Sequence, residues 1–466
     1  MISRVFNNYF SWMIYSISLA IIIVLINPYL IITFILIAIL AAVYYFGEKV
    51  LLGLILLNYL TGLTEYIGNL RIYLNLLSTI ILLYLFIKKY GLRLDEYPKI
   101  PYEIAIFLIV LFISLSVSAL FSSYMVIGFT SIVTMLLFFL ITYLFYALLK
   151  NEENIYIYIY SISISVLVVA VRIFIDLFTL GIQDFFKKAI LEGNSELAGS
   201  TGYTGFTIFF ISTSFISAFL FMDKSKNAIN KLLLTLILII NIVTLIFANS
   251  RAAILATILS ISFMFLILKW KSFIKTFLII LLVLLGLFFT IPAVEETINL
   301  YVRIDSINQR EVFWETGSDV ISDYPILGVG PGSFYKYFFS YAPGSLFDLF
   351  YLDIWRYGKP SPHNLFLHYW SENGILGFIL AISLFVLFFY FAFNTIKLTK
   401  GKYRDGYIIS IAITGIGIGF LFRAFFEVTG LLYYGYITTD LPFWLLFGIL
   451  VHFYQEMKSH GNRIVE

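Results

Sequence analysis

An arginine at the predicted start of a helix could bind an anionic group. Arg251 follows Asn249 and Ser250 and opens an apolar stretch that predicts a helix over 251–267. The first turn of a helix has unpaired N–H groups and the positive end of the helix dipole, both of which favour anions. An arginine at this place adds charge-assisted hydrogen bonds. The alternative is a structural arginine that snorkels to the membrane surface or caps backbone carbonyls.

Two further arginines share one face of a predicted amphipathic helix. Arg303 and Arg310 lie two helical turns apart within 293–324, and Trp314 continues the same face one turn later. A guanidinium carries a planar fork of donors that matches a phosphate or a carboxylate. We therefore predict that this face binds an anionic substrate, with a solvated charged face as the alternative.

A histidine held by prolines is the candidate proton acceptor. His363 follows Pro360, Ser361 and Pro362, and the residues from Asn364 onwards predict a helix. The two prolines fix the approach to this helix, and Ser361 could cap it. A neutral imidazole held in this way at the membrane surface suits proton removal at neutral pH. The alternative is a histidine that only makes a structural hydrogen bond.

Two nearby patterns are predicted to be structural. Gly328, Gly330 and Gly332 resemble a nucleotide-binding loop only superficially, because the flanking strand and helix and the phosphate-binding lysine of such loops are missing. We predict a tight turn that closes the long polar segment onto the membrane. His368 and Glu372 are one helical turn apart and are predicted to form a structural pair.

The composition indicates an all-α integral membrane protein. Of the 466 residues, 61% are hydrophobic and 12% are charged, whereas soluble domains carry about 25% charged residues. Apolar runs such as 232–248 approach the roughly 20 residues that cross a bilayer. We predict about 12–14 transmembrane helices from spans at 10–27, 29–46, 49–64, 69–87, 103–121, 125–149, 154–178, 203–222, 231–248, 251–268, 272–291, 372–394, 407–426 and 439–456. The chain has no cysteine, which excludes a thiolate metal site, and its four histidines leave little scope for a histidine-rich metal site. We expect no metal and no cofactor.

The hydropathy divides the chain into three parts. A transmembrane bundle is predicted over 1–291, an extracytoplasmic loop domain over 292–371 and C-terminal transmembrane helices over 372–466. With a cytoplasmic N-terminus, 19 of the 30 basic residues fall on the inner side, so both termini are predicted to be cytoplasmic and the long loop to lie outside the cytoplasmic (inner) membrane. The outer basic residues are mainly arginines, which adds Arg172 and Arg423 as candidate substrate-binding residues.

In its C-terminal half the chain resembles the O-antigen ligase/polymerase superfamily, which comprises membrane glycosyltransferases of lipid-linked glycan assembly. The matching motifs follow the order of the family: Ser250-Arg251 at a helix start, Arg310 with Trp314, Pro325–Phe334, and His363-Asn364 followed by Glu372-Asn373-Gly374. One departure is Ala252-Ala253, where the family often has glycine after Ser-Arg. The N-terminal half matches only as a row of hydrophobic helices.

The resemblance implies a type-C glycosyltransferase-like fold and an inverting, metal-independent reaction. The donor would be a glycan on undecaprenyl pyrophosphate, and an acceptor hydroxyl of a glycan or lipid would attack the anomeric carbon and displace the lipid pyrophosphate. Carried over to this chain, Arg251 and Arg310 would bind the pyrophosphate, and His363 would position or deprotonate the acceptor hydroxyl. The other candidates match no family motif and would assist in substrate binding: Arg172, Arg303 and Arg423.

Two other classes of protein fit the same composition. A polytopic transporter or flippase of lipid-linked glycans would have as many spans, but transporters usually show paired repeats with interrupted helices near the membrane midplane. The second class is a structural or partner-binding membrane subunit whose long loop is a docking surface. This interpretation does not explain why the outer basic residues are mainly arginines and the inner ones mainly lysines. Ligase and polymerase stay equally open, as does the oligomeric state. The expected partners are the lipid-linked donor, the acceptor and the bilayer, without nucleic acid.

Overall fold

A computed structural model shows an all-helical protein, in which none of the described residues forms a strand. The described residues are 47–60, 70–149, 152–181, 211–216, 218, 228–247, 252–269, 305–341, 360–434 and 437–463. The helices used below are, in chain order, α1 (Leu51–Leu60), α2 (Leu70–Tyr90), α3 (Tyr102–Leu120), α4 (Met125–Leu148), α5 (Glu152–Leu180), α6 (Ala228–Phe247), α7 (Ala252–Lys269), α8 (Asp305–Asp323), α9 (Phe334–Tyr341), α10 (Leu365–Thr399), α11 (Arg404–Ala424) and α12 (Ile437–Arg463).

Five of the described helices are long and apolar enough to cross a membrane, namely α3, α4, α7, α10 and α11. An apolar helix satisfies its own backbone groups and is therefore stable in a bilayer. This finding confirms the predicted all-α, multi-pass membrane protein. The predicted spans at 10–27, 29–46 and 272–291 lie outside the described residues, so the total of about 12–14 helices stays a prediction.

Helix α10 is at the centre of the described bundle and packs against α3, α11 and α12. Large aromatic rings fill these contacts. Phe388 stacks on Phe443 with the ring centroids 5.2 Å apart. Gly417 of α11 makes room for the same ring, because a Cβ at this position would overlap Phe388.

Small residues set the position of α7 beside α11. Gly415 and Gly419 face Ser260 and Ala256 so closely that a Cβ on either glycine would press on the carbonyl oxygen opposite. Small residues four positions apart let two membrane helices approach in this way. Because Ala256 lies against Gly419, the start of α7 is level with the end of α11.

The two ends of the bundle differ in charge. At one end, the side-chain amide of Gln455 donates a hydrogen bond to the carbonyl of Lys99 at 3.0 Å, and Tyr403 contacts Phe453 with ring centroids 5.8 Å apart. We call this the basic end, because it carries Lys99, Lys400, Lys402, Arg404 and Lys458. At the opposite end of α3, Ser118 donates a hydrogen bond to the carbonyl of Glu372 at 2.7 Å. We call this second end the site end.

Gly374 breaks α10 into two arms. Its φ of +65° and ψ of −164° are not helical. Phe366 and Phe385 would lie about 28 Å apart along a straight helix, yet their ring centroids are 6.1 Å apart. The arm 365–373 therefore folds back along the arm 375–399.

The predicted cap of this helix is wrong. Asn364, and not Ser361, is the N-cap, and its Oδ1 accepts hydrogen bonds from the N–H groups of Phe366 and Leu367 at 2.9 and 3.1 Å. Asparagine is among the preferred N-cap residues. The reason for the shift is a left-handed turn at His363, which separates Ser361 from the first helical N–H groups.

Gly374→Ala is expected to destabilise the protein strongly, whereas Gly91→Ala should have a small effect. Both glycines have φ near +65°, which strains an alanine by about 1–3 kcal/mol. The strain is greater at Gly374, because its ψ of −164° belongs to a region that essentially only glycine adopts. At Gly374 a Cβ would also overlap the carbonyl oxygen of Ile326, whereas nothing lies within 4 Å at Gly91. The melting temperatures of the two variants in detergent measure the difference. Equal shifts would show that close contact at the break is unimportant.

Candidate functional site

The glycine-rich loop 325–334 is a turn, as predicted, and it packs against the break in α10. The N–H of Val329 donates to the carbonyl of Ser371 at 2.9 Å, and the N–H of Gly330 donates to the carbonyl of Glu372 at 2.8 Å. The break leaves these carbonyls without helical partners, so the loop satisfies them. The loop thereby fixes the end of α8 to α10, the helix that His363 precedes.

The carboxylate of Glu372 anchors the same loop. Its two oxygens accept hydrogen bonds from the N–H groups of Gly332 at 2.7 Å and Phe334 at 2.9 Å. The Nε2 atom of His368 lies 3.5 Å from one of these oxygens, and both side chains are buried. A buried carboxylate needs such donors to offset its lost hydration. These contacts support the predicted structural role of the pair.

Helix α8 brings Arg310 to the site end. One helix carries both Arg310 and Trp314, which therefore share a face. The Nη2 atom of Arg310 lies 2.8 Å from Oε1 of Glu427. The Arg310 side chain is still 34% exposed, so a ligand can reach the guanidinium.

His363 lies between α8 and the segment that follows α11. Its Nδ1 atom is 3.3 Å from Oε2 of Glu427, and its ring packs edge-on against Phe313 with centroids 5.0 Å apart. Its φ is +45°, and no other non-glycine residue among those described has a positive φ. Strain of this kind persists where the surroundings fix it, often at functional sites.

Glu427 connects Arg310 and His363 and is not among the residues predicted from the sequence. The residue follows α11, and its N–H donates to the carbonyl of Arg423 at 2.8 Å. Burial raises the pKa of Glu427, but the hydrogen bond from His363 and the charges of His363, Arg310 and Arg423 outweigh this effect and lower the pKa to about 2. Glu427 is therefore ionised and accepts hydrogen bonds from both neighbours.

One signal in the sequence could have indicated Glu427. The residue lies four positions after Arg423, at the end of an otherwise apolar predicted span over 407–426. A carboxylate at a membrane edge is costly and is a functional candidate by default. Its partner Arg310 lies more than a hundred positions earlier, so no local pattern identifies the pair.

Arg423 shapes the loop that carries Glu427. The Arg423 side chain is buried, and its Nη1 and Nη2 atoms donate to the carbonyl and Oγ1 of Thr429 at 2.6 and 3.1 Å. These bonds close the turn around Glu427. Substrate binding by Arg423 stays a prediction, and the observed contacts are those of a positioning residue.

The structure describes no side chain for three of the predicted site residues. Arg251 and Arg303 lie outside the described residues, and Arg172 lies on α5 without a described side chain. Helix α7 begins at Ala252, level with the end of α11. The roles of the three arginines in substrate binding stay predictions.

The arrangement as a whole can bind an anion and accept a proton. Two guanidinium groups and one imidazole surround a single carboxylate, so positive charge exceeds negative charge. Within the part of the chain that the structure describes, no group of three or more histidine, aspartate or glutamate residues could hold a metal ion.

A comparison with protein families identifies residues 236–382 as matching the family described as O-antigen ligase. The matched segment includes Arg251, Arg310 and His363, whereas Glu427 lies beyond it. The match confirms the resemblance to the O-antigen ligase/polymerase superfamily and indicates a membrane glycan ligase or polymerase in general. No curated protein matches the chain significantly.

Proposed function

We propose that this chain, as a member of the O-antigen ligase/polymerase superfamily, transfers a glycan from undecaprenyl pyrophosphate to an acceptor hydroxyl of a glycan or lipid. The observation that carries the proposal is the Glu427 carboxylate, which holds Arg310 and His363 in one site. A guanidinium beside an imidazole supplies a cation for a leaving diphosphate and a base for an attacking hydroxyl.

The proposed reaction is a single displacement at the anomeric carbon. The acceptor oxygen forms a bond to this carbon from the side opposite the pyrophosphate, and the bond to the pyrophosphate oxygen breaks, so the configuration inverts. The electron pair of the broken bond leaves with the lipid pyrophosphate, and the hydroxyl proton passes to His363. Arg310 stabilises the charge that develops on the leaving oxygen, and Arg251 is proposed to add a second cation. The reaction is therefore proposed to need no metal.

Glu427 is proposed to fix the proton of the imidazole on Nδ1. An ionised carboxylate only accepts hydrogen bonds, so the Nδ1 atom of His363 that faces Oε2 carries the proton. The neutral ring then has its lone pair on Nε2, which can take the proton of the acceptor hydroxyl. The same carboxylate holds Arg310 through its other oxygen, which keeps the base and the cation at a fixed separation.

The charge distribution supports an outward-facing site in the cytoplasmic membrane. The basic end carries Lys99, Lys400 and Lys458, and lysine-rich ends are typical of the cytoplasmic side. The site end is at the other end of α3. In this orientation the proposed loop domain over 292–371 is outside and both termini are cytoplasmic. The proposed end of that domain falls just before the break at Gly374.

A transfer assay with the purified protein in vesicles tests the proposed function. The vesicles contain a glycan on undecaprenyl pyrophosphate and an acceptor, with EDTA present, and the mass and linkage of the product are measured. We expect covalent transfer with inverted anomeric configuration and release of undecaprenyl pyrophosphate. Movement of the donor across the membrane without covalent change would support a flippase and contradict the proposal.

The same assay separates a ligase from a polymerase. A polymerase adds repeat units to the donor glycan and gives a ladder of products. A ligase transfers one whole glycan to an acceptor of a different kind.

A further inference from the structure

We propose that Asp440 is a positioning residue for the reaction, which holds the loop 425–434 and thereby Glu427 in place. This inference rests on the proposed function. Asp440 lies in the first turn of α12, and only 2% of its surface is exposed. A group buried so deeply does not touch substrate, so Asp440 acts through the residues that it holds. The loop follows α11 and carries the carboxylate between Arg310 and His363.

The carboxyl group of Asp440 accepts two backbone hydrogen bonds from this loop. The N–H of Gly430 donates to Oδ1 at 2.8 Å, and the N–H of Tyr433 donates to Oδ2. The hydroxyl of Thr439 donates to Oδ1 at 3.0 Å and orients the carboxyl group. A buried N–H without a partner is costly, so the loop is most stable where both N–H groups meet these two oxygens. One side chain thereby fixes two points of the loop.

Side chains of α10 and α12 bind the carbonyl groups of the same loop. The hydroxyl of Tyr369 donates to the carbonyl of Leu432 at 2.8 Å, and Nε1 of Trp444 donates to the carbonyl of Leu431 at 2.6 Å. Both donors are buried. Irregular backbone at the edge of a bilayer needs such partners, because the lipid tails supply none. The loop is therefore held from two helices, and Asp440 supplies the acceptors for its N–H groups.

Glu427 lies between two fixed points of the chain. On one side its own N–H donates to the carbonyl of Arg423 at 2.8 Å, and on the other side Gly430, three residues later, binds Asp440. The carboxylate oxygens of Glu427 lie 2.8 and 3.3 Å from the guanidinium and imidazole nitrogens of the site. Hydrogen bonds of these lengths are lost when one partner moves by about 1 Å. The bonds from Asp440 therefore keep the carboxylate within reach of the cation and the base.

Asp440→Asn in the full-length protein tests this assignment. The amide keeps the shape of the carboxyl group but places an NH2 group against one of the two loop N–H groups, where neither group can accept a hydrogen bond. We expect the loop to shift and kcat for glycan transfer to fall about 10²-fold, the cost of a misplacement of about 1 Å. Asp405→Asn is the matched control, because Asp405 also lies in the first turn of a helix, but in α11 at the basic end. This control should transfer glycan at the wild-type rate.

Two further variants separate positioning from a purely structural role, namely Glu427→Ala and Glu427→Ala/Asp440→Asn. Because Asp440 is proposed to act through Glu427, Asp440→Asn should lower kcat in the wild-type background and have no further effect once the carboxylate is removed. A loss by the same factor in both backgrounds would indicate a general loss of structure and overturn the proposal. An unchanged kcat in a folded Asp440→Asn variant would overturn it as well.

Binding of undecaprenyl pyrophosphate that carries no glycan, the sugar-free prenyl diphosphate, shows whether each variant is folded. Arg310 lies on α8 and not on the loop, so a folded variant should bind this probe with little change in Kd. If Asp440→Asn does not bind it, Tyr369→Phe takes its place, because this change removes one hydrogen bond of the loop and no charge. Tyr369→Phe should lower kcat about tenfold, again without further effect in the Glu427→Ala background. Any other result would overturn the proposal.

Hydrogen exchange separates failure of this inference from failure of the proposed function, because it does not depend on transfer. In Asp440→Asn the amides of 430–433 should exchange about tenfold faster than in the wild type, the effect of one lost hydrogen bond. Those of α11 should keep the wild-type rate. Unchanged exchange at 430–433 together with transfer by the wild type would refute the role of Asp440 alone. Faster exchange in the variant without any transfer by the wild type would refute the transferase and leave Asp440 as the residue that fixes the loop.

Discussion

Replacement of His363 by alanine is expected to lower the rate of glycan transfer by about 10²–10⁴-fold, the usual contribution of a general base. The imidazole is proposed to take the proton of the acceptor hydroxyl, and alanine leaves only water for this task. The measurement is kcat in vesicles at saturating donor and acceptor. The Kd of the sugar-free prenyl diphosphate, measured alongside, should change little, because the base does not hold the leaving group.

His452→Ala is the matched control for this substitution. His452 also faces a glutamate, with its Nε2 atom 3.5 Å from Glu456, but it lies on α12 close to Phe453 at the basic end. This variant should transfer glycan at the wild-type rate. A folded His363→Ala variant that kept most of the wild-type rate would contradict the proposed role of the imidazole.

A second substitution separates the imidazole from the backbone that carries it. The φ of +45° at His363 is one that glycine adopts readily. His363→Gly should therefore keep the turn, and it relieves strain of about 1–2 kcal/mol. We expect an unchanged or higher melting temperature together with lost transfer. Transfer by His363→Gly would show that the position is needed only for its turn.

The helices of this protein are largely predictable because their cause is local. A membrane-spanning helix requires a run of consecutive apolar residues, and such a run can be recognised directly in the sequence. The ends of the predicted spans 103–121 and 125–149 therefore differ from those of α3 and α4 by at most one residue. The folding back of α10 is different. It depends on contacts between Gly374 and Ile326 in a distant loop, which no hydrophobicity pattern reveals.

The same distinction explains which site residues the sequence indicates. Arg310 and His363 are marked by their own neighbours, the first by a helical face and the second by flanking prolines. Glu427 has no such neighbours in the sequence. It contacts Arg310 and His363 only because α8, the start of α10 and the end of α11 pack together. Because of the left-handed turn at His363, the N-cap of α10 is Asn364 and not the predicted Ser361. Residue types alone do not determine this backbone geometry.

Arg310→Ala is expected to reduce kcat/KM for glycan transfer by about 10²–10³-fold, the effect of removing one preorganised donor from a developing charge. Arg310→Lys should be intermediate, because lysine keeps the charge and loses the planar fork of donors. Both variants should also bind the sugar-free prenyl diphosphate more weakly, which distinguishes them from His363→Ala. Transfer assays and Kd measurements on the same preparations test this difference.

A double substitution separates binding of the diphosphate from neutralisation of Glu427. Arg310→Ala leaves a carboxylate of 14% exposure with one cation fewer, so lower stability alone could reduce activity. In Arg310→Ala/Glu427→Gln this charge is gone, and the glutamine oxygen can still accept a hydrogen bond from His363. We expect the double variant to regain its melting temperature and yet to transfer glycan about 10²-fold more slowly than Glu427→Gln alone.

The exposed pair of Arg93 and Glu96 provides the control for this comparison. Arg93→Ala breaks an ion pair of 3.1 Å close to Tyr90 and Lys99, far from the site end, and should change neither transfer nor stability measurably. If the double variant instead matched Glu427→Gln in rate, Arg310 would serve only to neutralise the carboxylate. The lipid pyrophosphate would then have to be held by other cations, and Arg251, which directly precedes α7, would be the first to test.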